Sequence, residues 1–151
     1  MQDSSRLSAF VFLALYGLFI SCTARNQGPP IDLVEKSVLE GAAATQQSFI
    51  TKPRQPLSTF IQPVKATVVS RSVDSPTTAE AEVDVNLEFK LIRPVPKEPF
   101  MSDEEPVLIY LGRAAITGQV GQSYTRTVKT FWKKFDTGWR WERVEPFSSV
   151  L

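Results

Sequence analysis

Residues 79–91 read AEAEVDVNLEFKL, and this stretch decides the fold. Every second residue from Ala79 to Leu91 is apolar, and every residue between them is polar. Because successive side chains of a β-strand point to opposite faces, this alternation predicts a strand with one face on a core and the other in water. At about 3.3 Å per residue, such a strand would be about 43 Å long.

The segment before residues 79–91 predicts the strand that pairs with them. Residues 64–73 (VKATVVSRSV) are rich in β-branched side chains, which favour strands. Residues 74–76 (DSP) supply turn chemistry between the two segments. We therefore expect residues 64–73 and 79–91 to form an antiparallel hairpin.

The C-terminal part predicts a second hairpin. Residues 136–138 (DTG) indicate a three-residue loop with Gly138 in the left-handed conformation. The alternation of apolar residues slips after Trp141, which predicts a β-bulge near Glu142 and Arg143. The further strands predicted from the sequence are residues 107–117, 122–135 and 139–144.

One helix is predicted ahead of the strands. Asp32 with Glu35 three residues later resembles a helix start, and Pro53 ends the periodic pattern, so we place the helix at residues 33–50. Gly41 inside it favours close packing of the helix on a sheet. The apolar positions that fall near one helical face are Ile31, Val34, Val38, Ala42 and Phe49.

These elements predict an α+β fold: one N-terminal helix packed on a curved antiparallel sheet of about five strands. The chain has 151 residues, and we expect residues 31–151 to form a single domain. Residues 93–106 contain four prolines, which predicts a long loop of the kind that often covers a site.

The composition excludes several classes of function. The chain has no histidine, which removes the commonest general base and zinc ligand, and only one cysteine, Cys22, which removes thiolate clusters and intramolecular disulfides. A net charge of +1 argues against a nucleic-acid partner. We therefore expect that the protein is not an enzyme and that it binds no cofactor or metal. The one catalytic alternative is an enzyme that uses a buried carboxylate. Residues 103–105 (DEE) lack the spacing of calcium loops.

The N-terminus predicts export. Residues 7–20 carry no charge and have the length of a signal-peptide core, not of a comfortable transmembrane helix. The following residues 19–22 (FISC) resemble the lipobox of bacterial lipoproteins. That resemblance implies a signal peptide at residues 1–21, lipidation of Cys22 and a tether at residues 22–30. Cleavage after Ala24, giving a secreted protein, and an uncleaved anchor are the alternatives.

The second hairpin carries a further resemblance. Residues 131–135 (FWKKF), the DTG turn and residues 139–141 (WRW) are similar to the closing hairpin of nuclear transport factor 2-like and cystatin-like domains. The resemblance extends from residue 64 onward. It implies a curled sheet wrapped on helices; the family usually has three helices, whereas one clear helix is predicted here.

The same hairpin supplies the candidate binding surface. The aromatic residues close the core as cross-strand pairs or line a ligand groove, and the basic residues pair with the acidic face of residues 79–91 or meet an anionic partner such as lipid headgroups or a protein. The candidate residues are Trp132, Trp139, Trp141, Arg126, Lys129 and Lys133.

Together these patterns predict a membrane-tethered envelope lipoprotein that acts as a non-enzymatic binding or assembly module. We expect it to face the periplasm, with other envelope proteins as partners. Thr23, in place of the aspartate that such proteins use for inner-membrane retention, favours the outer membrane. The alternative is a periplasmic domain that binds a small apolar ligand, and the third option is an enzyme that uses a buried carboxylate.

Overall fold

A computed structural model describes residues 28–73, 79–99 and 104–146. The predicted signal peptide, Cys22, most of the tether and the turn at residues 74–76 lie outside the described residues. In chain order the elements are α1 (Ile31–Ala44), β1 (Gln46–Gln47), β2 (Gln55–Pro56), a 3₁₀ turn (Leu57–Thr59), β3 (Ile61–Ser72), β4 (Glu80–Leu91), α2 (Pro106–Leu111), α3 (Ala114–Thr117), β5 (Ser123–Phe135) and β6 (Gly138–Pro146).

The main sheet is antiparallel and has the order β3-β4-β5-β6. The predicted first hairpin is confirmed, since Val68 lies opposite Val85 and Ala66 lies opposite Leu87. The alternation of β4 also appears as predicted, because its apolar side chains are buried on one side, which we call the core face. These buried residues are Ala81, Val83, Val85, Leu87, Phe89 and Leu91.

The second hairpin pairs β5 with β6. Trp132 lies opposite Trp141 while Phe131 lies opposite Arg143, so Glu142 is the extra residue of a bulge, as predicted. Gly138 has a φ of 111° and lies opposite Phe135. The loop between them is therefore two residues long, one fewer than predicted.

The helix is shorter than the predicted residues 33–50. It begins at Ile31, with Pro30 at the N-cap instead of Asp32. It ends at Ala44, because the backbone of Thr45 turns to the extended region while its N–H and its Oγ1 both donate to the carbonyl of Gly41. Glu35 does not close a capping box; it accepts a hydrogen bond from the backbone N–H of Val68 on β3, at 3.2 Å.

The strand predicted at residues 107–117 is wrong, and the segment forms α2 and α3. A short apolar run does not distinguish a strand from a buried helix by periodicity alone. Here Pro106 occupies the first turn of α2, where its missing N–H costs nothing, and Gly112 ends α2 with a φ of 54°. The sheet consequently has four strands, and β1 and β2 pair separately. The predicted α+β class is confirmed.

The core lies between α1, α2 and the core face of the sheet. Val34, Val38 and Ala42 are the buried side chains of α1. A Cβ atom on Gly41 would lie 3.2 Å from the Trp141 ring and 3.3 Å from the Tyr110 hydroxyl oxygen, so glycine permits this close approach of helix to sheet.

The sheet has two distinct ends. The turn end carries the connections β3–β4 and β5–β6; there Glu80 lies opposite Lys133, and the N–H of Lys134 donates to the carbonyl of Ala79. The opposite end carries the last residue of β4, Leu91, whose carbonyl accepts from the N–H of Gly121.

Candidate functional site

A groove lies beside the two short helices. It has a volume of about 540 Å³. One wall comes from the proline-rich loop and the other from α2 and α3. We call it the α2–α3 groove and define it by Lys97, Glu98, Pro99, Leu108, Ala115 and Ile116.

The helical wall is apolar, because α2 and α3 contribute Leu108, Ala115 and Ile116 to it. Leu108 is half-buried, Ala115 is buried, and Ile116 is 57% exposed at the mouth. Gly118 follows α3, and a Cβ atom there would lie 2.3 Å from the carbonyl oxygen of Ala114. Glycine at this position therefore allows the chain to turn tightly after α3 and continue to the end of the sheet.

The loop wall is held in place by Glu98. Its carboxylate accepts hydrogen bonds from the backbone N–H of Ile50, at 2.6 Å, and of Thr51, at 3.0 Å, and from the Thr51 hydroxyl. The Thr51 hydroxyl, the two backbone N–H groups and the nearby charge of Lys52 lower the pKa of Glu98, because each favours the ionised form.

Exposed apolar side chains continue outside the groove. Ile50 is 76% exposed and its backbone is bonded to Glu98. Val120 is 53% exposed and follows Ile116 by four residues. The apolar character of this end of the molecule therefore extends beyond the concavity itself.

The groove combines apolar residues with two charged ones, Lys97 and Glu98, and the carboxylate of Glu98 is bonded to Ile50 and Thr51. Lys97 makes no hydrogen bond or ion pair within residues 28–73, 79–99 and 104–146. Clefts that bind small molecules are commonly 300–1,000 Å³, mostly apolar, with a few polar groups that orient the ligand. This arrangement suits an apolar group, with or without an anionic end near Lys97.

The three predicted tryptophans lie elsewhere, on the core face of the second hairpin. Trp132 is 1% exposed and its Nε1 donates to Thr130 Oγ1 at 2.8 Å. The Trp141 ring lies 5.8 Å from the Trp132 ring, centroid to centroid. Trp139 is half-buried against the same core. Trp132 and Trp141 thus form a cross-strand pair that closes the core.

Arg126 also points to the core face. Its Nε donates to the carbonyl of Ile109 at 3.2 Å, and its guanidinium packs over Gly112. This contact connects β5 to α2. The side chain of Arg126 therefore packs and forms its hydrogen bond within the domain.

Lys129 and Lys133 lie on the opposite, outer face, where they pair with β4. Lys129 Nζ is 3.0 Å from Glu82 Oε2 and 4.0 Å from Asp84 Oδ1, and Lys133 Nζ is 3.8 Å from Glu80 Oε1. The hydrogen bond to Glu82, with the charges of the neighbouring carboxylates, raises the pKa of Lys129. Each such partly exposed pair stabilises the fold by about 1 kcal/mol or less.

The six predicted residues are therefore not brought together in one surface, since four of them lie on the core face and two on the outer face. The sequence does not predict the groove, because its pattern at residues 107–117 predicts a strand where the structure has α2 and α3. The prolines of residues 93–106 were the one signal that pointed to it.

Comparison of the chain with protein-family models, curated proteins and solved structures finds no match. Among the described residues no helix is long and apolar enough to cross a membrane. The same part of the chain contains no cluster of side chains suited to hold a metal ion.

Proposed function

We propose that this protein is a non-enzymatic binding module of the cell envelope, tethered to the membrane through a lipidated Cys22, that takes an apolar group into the α2–α3 groove. The observation that carries the proposal is the groove itself. It joins apolar side chains, a volume in the small-molecule range and a Lys97 that has no ion pair with any described residue.

The chemistry of the groove favours binding over catalysis. A carboxylate that acts as a general acid near neutral pH needs a raised pKa. The pKa of Glu98, the carboxylate in the groove wall, is lowered by its hydrogen bonds from Thr51 and Ile50. Its oxygens face Ile50 and Thr51, so this side chain supports the loop wall.

The binding test uses the chain without residues 1–22, which keeps all described contacts, and dodecanoate as an apolar, anionic probe. Methyl NMR signals of Leu108, Ala115 and Ile116 should shift together as dodecanoate is added below its micelle concentration. Ile116→Gln should weaken binding by about fivefold or more, because roughly 1 kcal/mol of apolar contact is lost.

Val69→Gln is the matched control. Val69 is 58% exposed, almost the same as Ile116, but lies on β3 away from the groove. Equal weakening by both substitutions, or shifts spread over exposed apolar residues in general, would count against the groove as the binding site.

A second candidate is an assembly module that contacts another envelope protein through the same end. The exposed side chains of Ile50 and Val120, which lie outside the concavity, favour it. Photocrosslinkers placed at these two positions in intact membranes should yield one protein adduct in common. An assembly role at this end is rejected if only lipid or no adduct forms.

A further inference from the structure

β6 forms one edge of the main sheet. Among the described residues its only strand neighbour is β5. The strand at the other edge, β3, is partly covered, because Glu35 of α1 accepts a hydrogen bond from the backbone N–H of Val68. An uncovered edge strand presents N–H and C=O groups that can bond to a strand of another chain.

The hydrogen-bond pattern of the sheet identifies the backbone groups on the open edge of β6. In an antiparallel sheet, alternate residues direct their N–H and C=O groups to one neighbouring strand, and the residues between them to the other. The N–H of Lys134 donates to Ala79, on the β4 side, so the adjacent Lys133 bonds to its partner Arg140 on β6. The β6 residues that direct these groups to the open edge are therefore Trp139, Trp141 and, past the bulge, Val144.

The bulge determines which residues of β6 share a face. Trp141 and Val144 both face the core and are half-buried, although they are three residues apart, because Glu142 is an extra residue between them. The charged residues lie exposed on the outer face, and they are Arg140, Glu142, Arg143 and Glu145.

One antiparallel register of β6 with an inverted copy of itself keeps these faces together along the strand. It places Trp141 opposite Val144 of the second copy, with both side chains on the core face. In a strand without the extra residue, the same register would place a core-facing residue opposite an outer one. The bulge therefore makes this register possible.

The same register places opposite charges across from each other. Arg140 lies opposite Glu145 of the second copy, and Glu142 lies opposite Arg143 of the second copy. Two-fold symmetry repeats both pairs, and opposite charges directly across two strands attract. A shifted register that places Arg140 opposite Arg140 of the second copy would instead set like charges together.

Contacts within the chain already hold the basic side chains of the outer face. The guanidinium carbon of Arg143 lies 3.7 Å from the centroid of the Phe131 ring, and its Nε donates to Glu145 Oε1 at 2.8 Å. The guanidinium carbon of Arg140 lies 5.1 Å from the centroid of the Phe135 ring. Side chains that are held before binding lose less conformational entropy when a partner binds.

We infer that two copies of this chain pair through the open edges of their β6 strands, antiparallel and about a two-fold axis between Trp141 and Val144. The two four-stranded sheets then form one continuous sheet. The core-facing side chains Trp139, Trp141 and Val144, which are half-buried in one copy, gain a neighbouring strand. This pairing rests on neither the groove nor the anchor at Cys22.

The test uses two copies of the full chain that carry different affinity tags and are expressed together in one bacterium. Membranes and soluble protein are extracted in mild detergent, one tag is captured, and the second tag is measured. The original chains should be recovered together. Arg140→Glu in both copies should lower this recovery by about tenfold, because two attractive charge pairs become repulsive. Glu145→Arg in both copies should have the same effect for the same reason.

A mixed pair makes the test specific for contact between copies. When one copy carries Arg140→Glu and the other carries Glu145→Arg, each altered residue again faces an opposite charge, so recovery should return to that of the original chains. Lys65→Glu in both copies is the control, since it makes the same charge change at an exposed position of β3 and should leave recovery unchanged.

A disulfide tests the register itself. Residues 140 and 145 face each other without mutual hydrogen bonds in the proposed pairing, and such pairs bring their Cα atoms within disulfide distance. A copy with Arg140→Cys should form a disulfide-linked dimer with a copy that carries Glu145→Cys. Either variant alone should form none, because its two cysteines lie several residues apart along the strands. Cys22 is present in every sample, so the original chain measures its own contribution.

The following results overturn the inference: no recovery of one original chain by the other, including capture of a different protein in its place; loss in the single variants that the mixed pair does not restore; equal loss with Lys65→Glu; or no disulfide specific to the mixed cysteine pair. Misfolded variants would fail to recover in the mixed pair, so restoration separates pairing from folding.

Discussion

Leu87 and Glu88 are neighbours on β4 whose side chains meet opposite environments. Leu87 is fully buried between β3 and β5, whereas Glu88 is exposed on the outer face. Leu87→Ala should lower the free energy of unfolding by roughly 2–5 kcal/mol, because it removes buried methyl groups and leaves a cavity. Glu88→Ala should change it by about 0.5 kcal/mol or less. Urea melts of both variants measure this contrast, and similar losses would contradict the assigned facing of β4.

The outer face is less uniform than alternation alone predicts. The side chain of Asp84 is 19% exposed, and its Oδ1 is buried without a hydrogen-bond partner among the described residues. Its other carboxylate oxygen accepts from the Ser70 hydroxyl at 2.5 Å. Alternation predicts which face a residue takes, but the depth of burial depends on side chains contributed by the neighbouring strands.

Residue patterns with a local cause were predictable from the sequence. The sequence around Gly41 predicts close packing of the helix on the sheet, and the structure places Trp141 against this glycine. The bulge at Glu142 is predictable because the alternation of apolar and polar residues shifts by one position after Trp141, within a single strand. The groove was not predictable in this way, because it needs Lys97 and Ile116, which belong to segments far apart in sequence, to meet across the fold.

At the scale of elements, the contact of Glu98 with Thr51 fixes the proline-rich loop. Because the pKa of Glu98 is lowered in the folded state, its contribution to stability is present above the unfolded value, near 4.5, and is lost as pH falls through the folded value. We therefore expect the amides of Ile50 and Thr51 to lose hydrogen-exchange protection in acid, as pH falls below 4.5 and Glu98 becomes protonated. NMR-detected exchange measures these protection factors.

Glu98→Ala should abolish that protection already at neutral pH, because the acceptor is gone. Glu88→Ala, which removes an exposed carboxylate from β4, serves as the control and should leave both amides protected. Unchanged protection in Glu98→Ala would show that other contacts hold the loop.

The boundaries of elements were harder to predict than their existence. The sequence predicts a helix through residue 50, but the backbone of Thr45 is extended and Gln47 is buried in the core, where its Oε1 accepts from the N–H of Val107 at 3.0 Å. This bond joins segments that are sixty residues apart in sequence. The sequence around residue 45 contains no local pattern that predicts this hydrogen bond.

At the scale of the whole molecule, the proposed anchor makes a separate prediction. Cys22→Ala should leave an unprocessed precursor that takes up no radiolabelled palmitate, whereas the original chain should take up the label, because acylation and cleavage both depend on the thiol. Two or more acyl chains anchor far more durably than one. Absence of label in the original chain, or an N-terminus at Arg25, would replace the lipoprotein proposal with secretion.

The proposed anchor would hold the two ends of the sheet at different distances from the bilayer. The rise of β4 from Glu80 to Leu91 is roughly 35 Å at about 3.3 Å per residue. Because Gly28 lies beside Val73 at the turn end, an anchor at Cys22 would hold the turn end closer to the bilayer than the α2–α3 groove. A soluble ligand or another envelope protein would reach it without approaching the lipid.

The strand order has a consequence for how the chain folds. β3 with β4, and β5 with β6, are sequence neighbours joined by short connections, so each hairpin can form early. Pairing β4 with β5 must close the long connection from residue 92 to residue 122, which makes it the later step. The entropy of loop closure grows only with the logarithm of length, so doubling that connection would cost about 0.6 kcal/mol. The part of the chain that forms the groove can therefore gain or lose residues over evolution while the sheet beneath it still assembles.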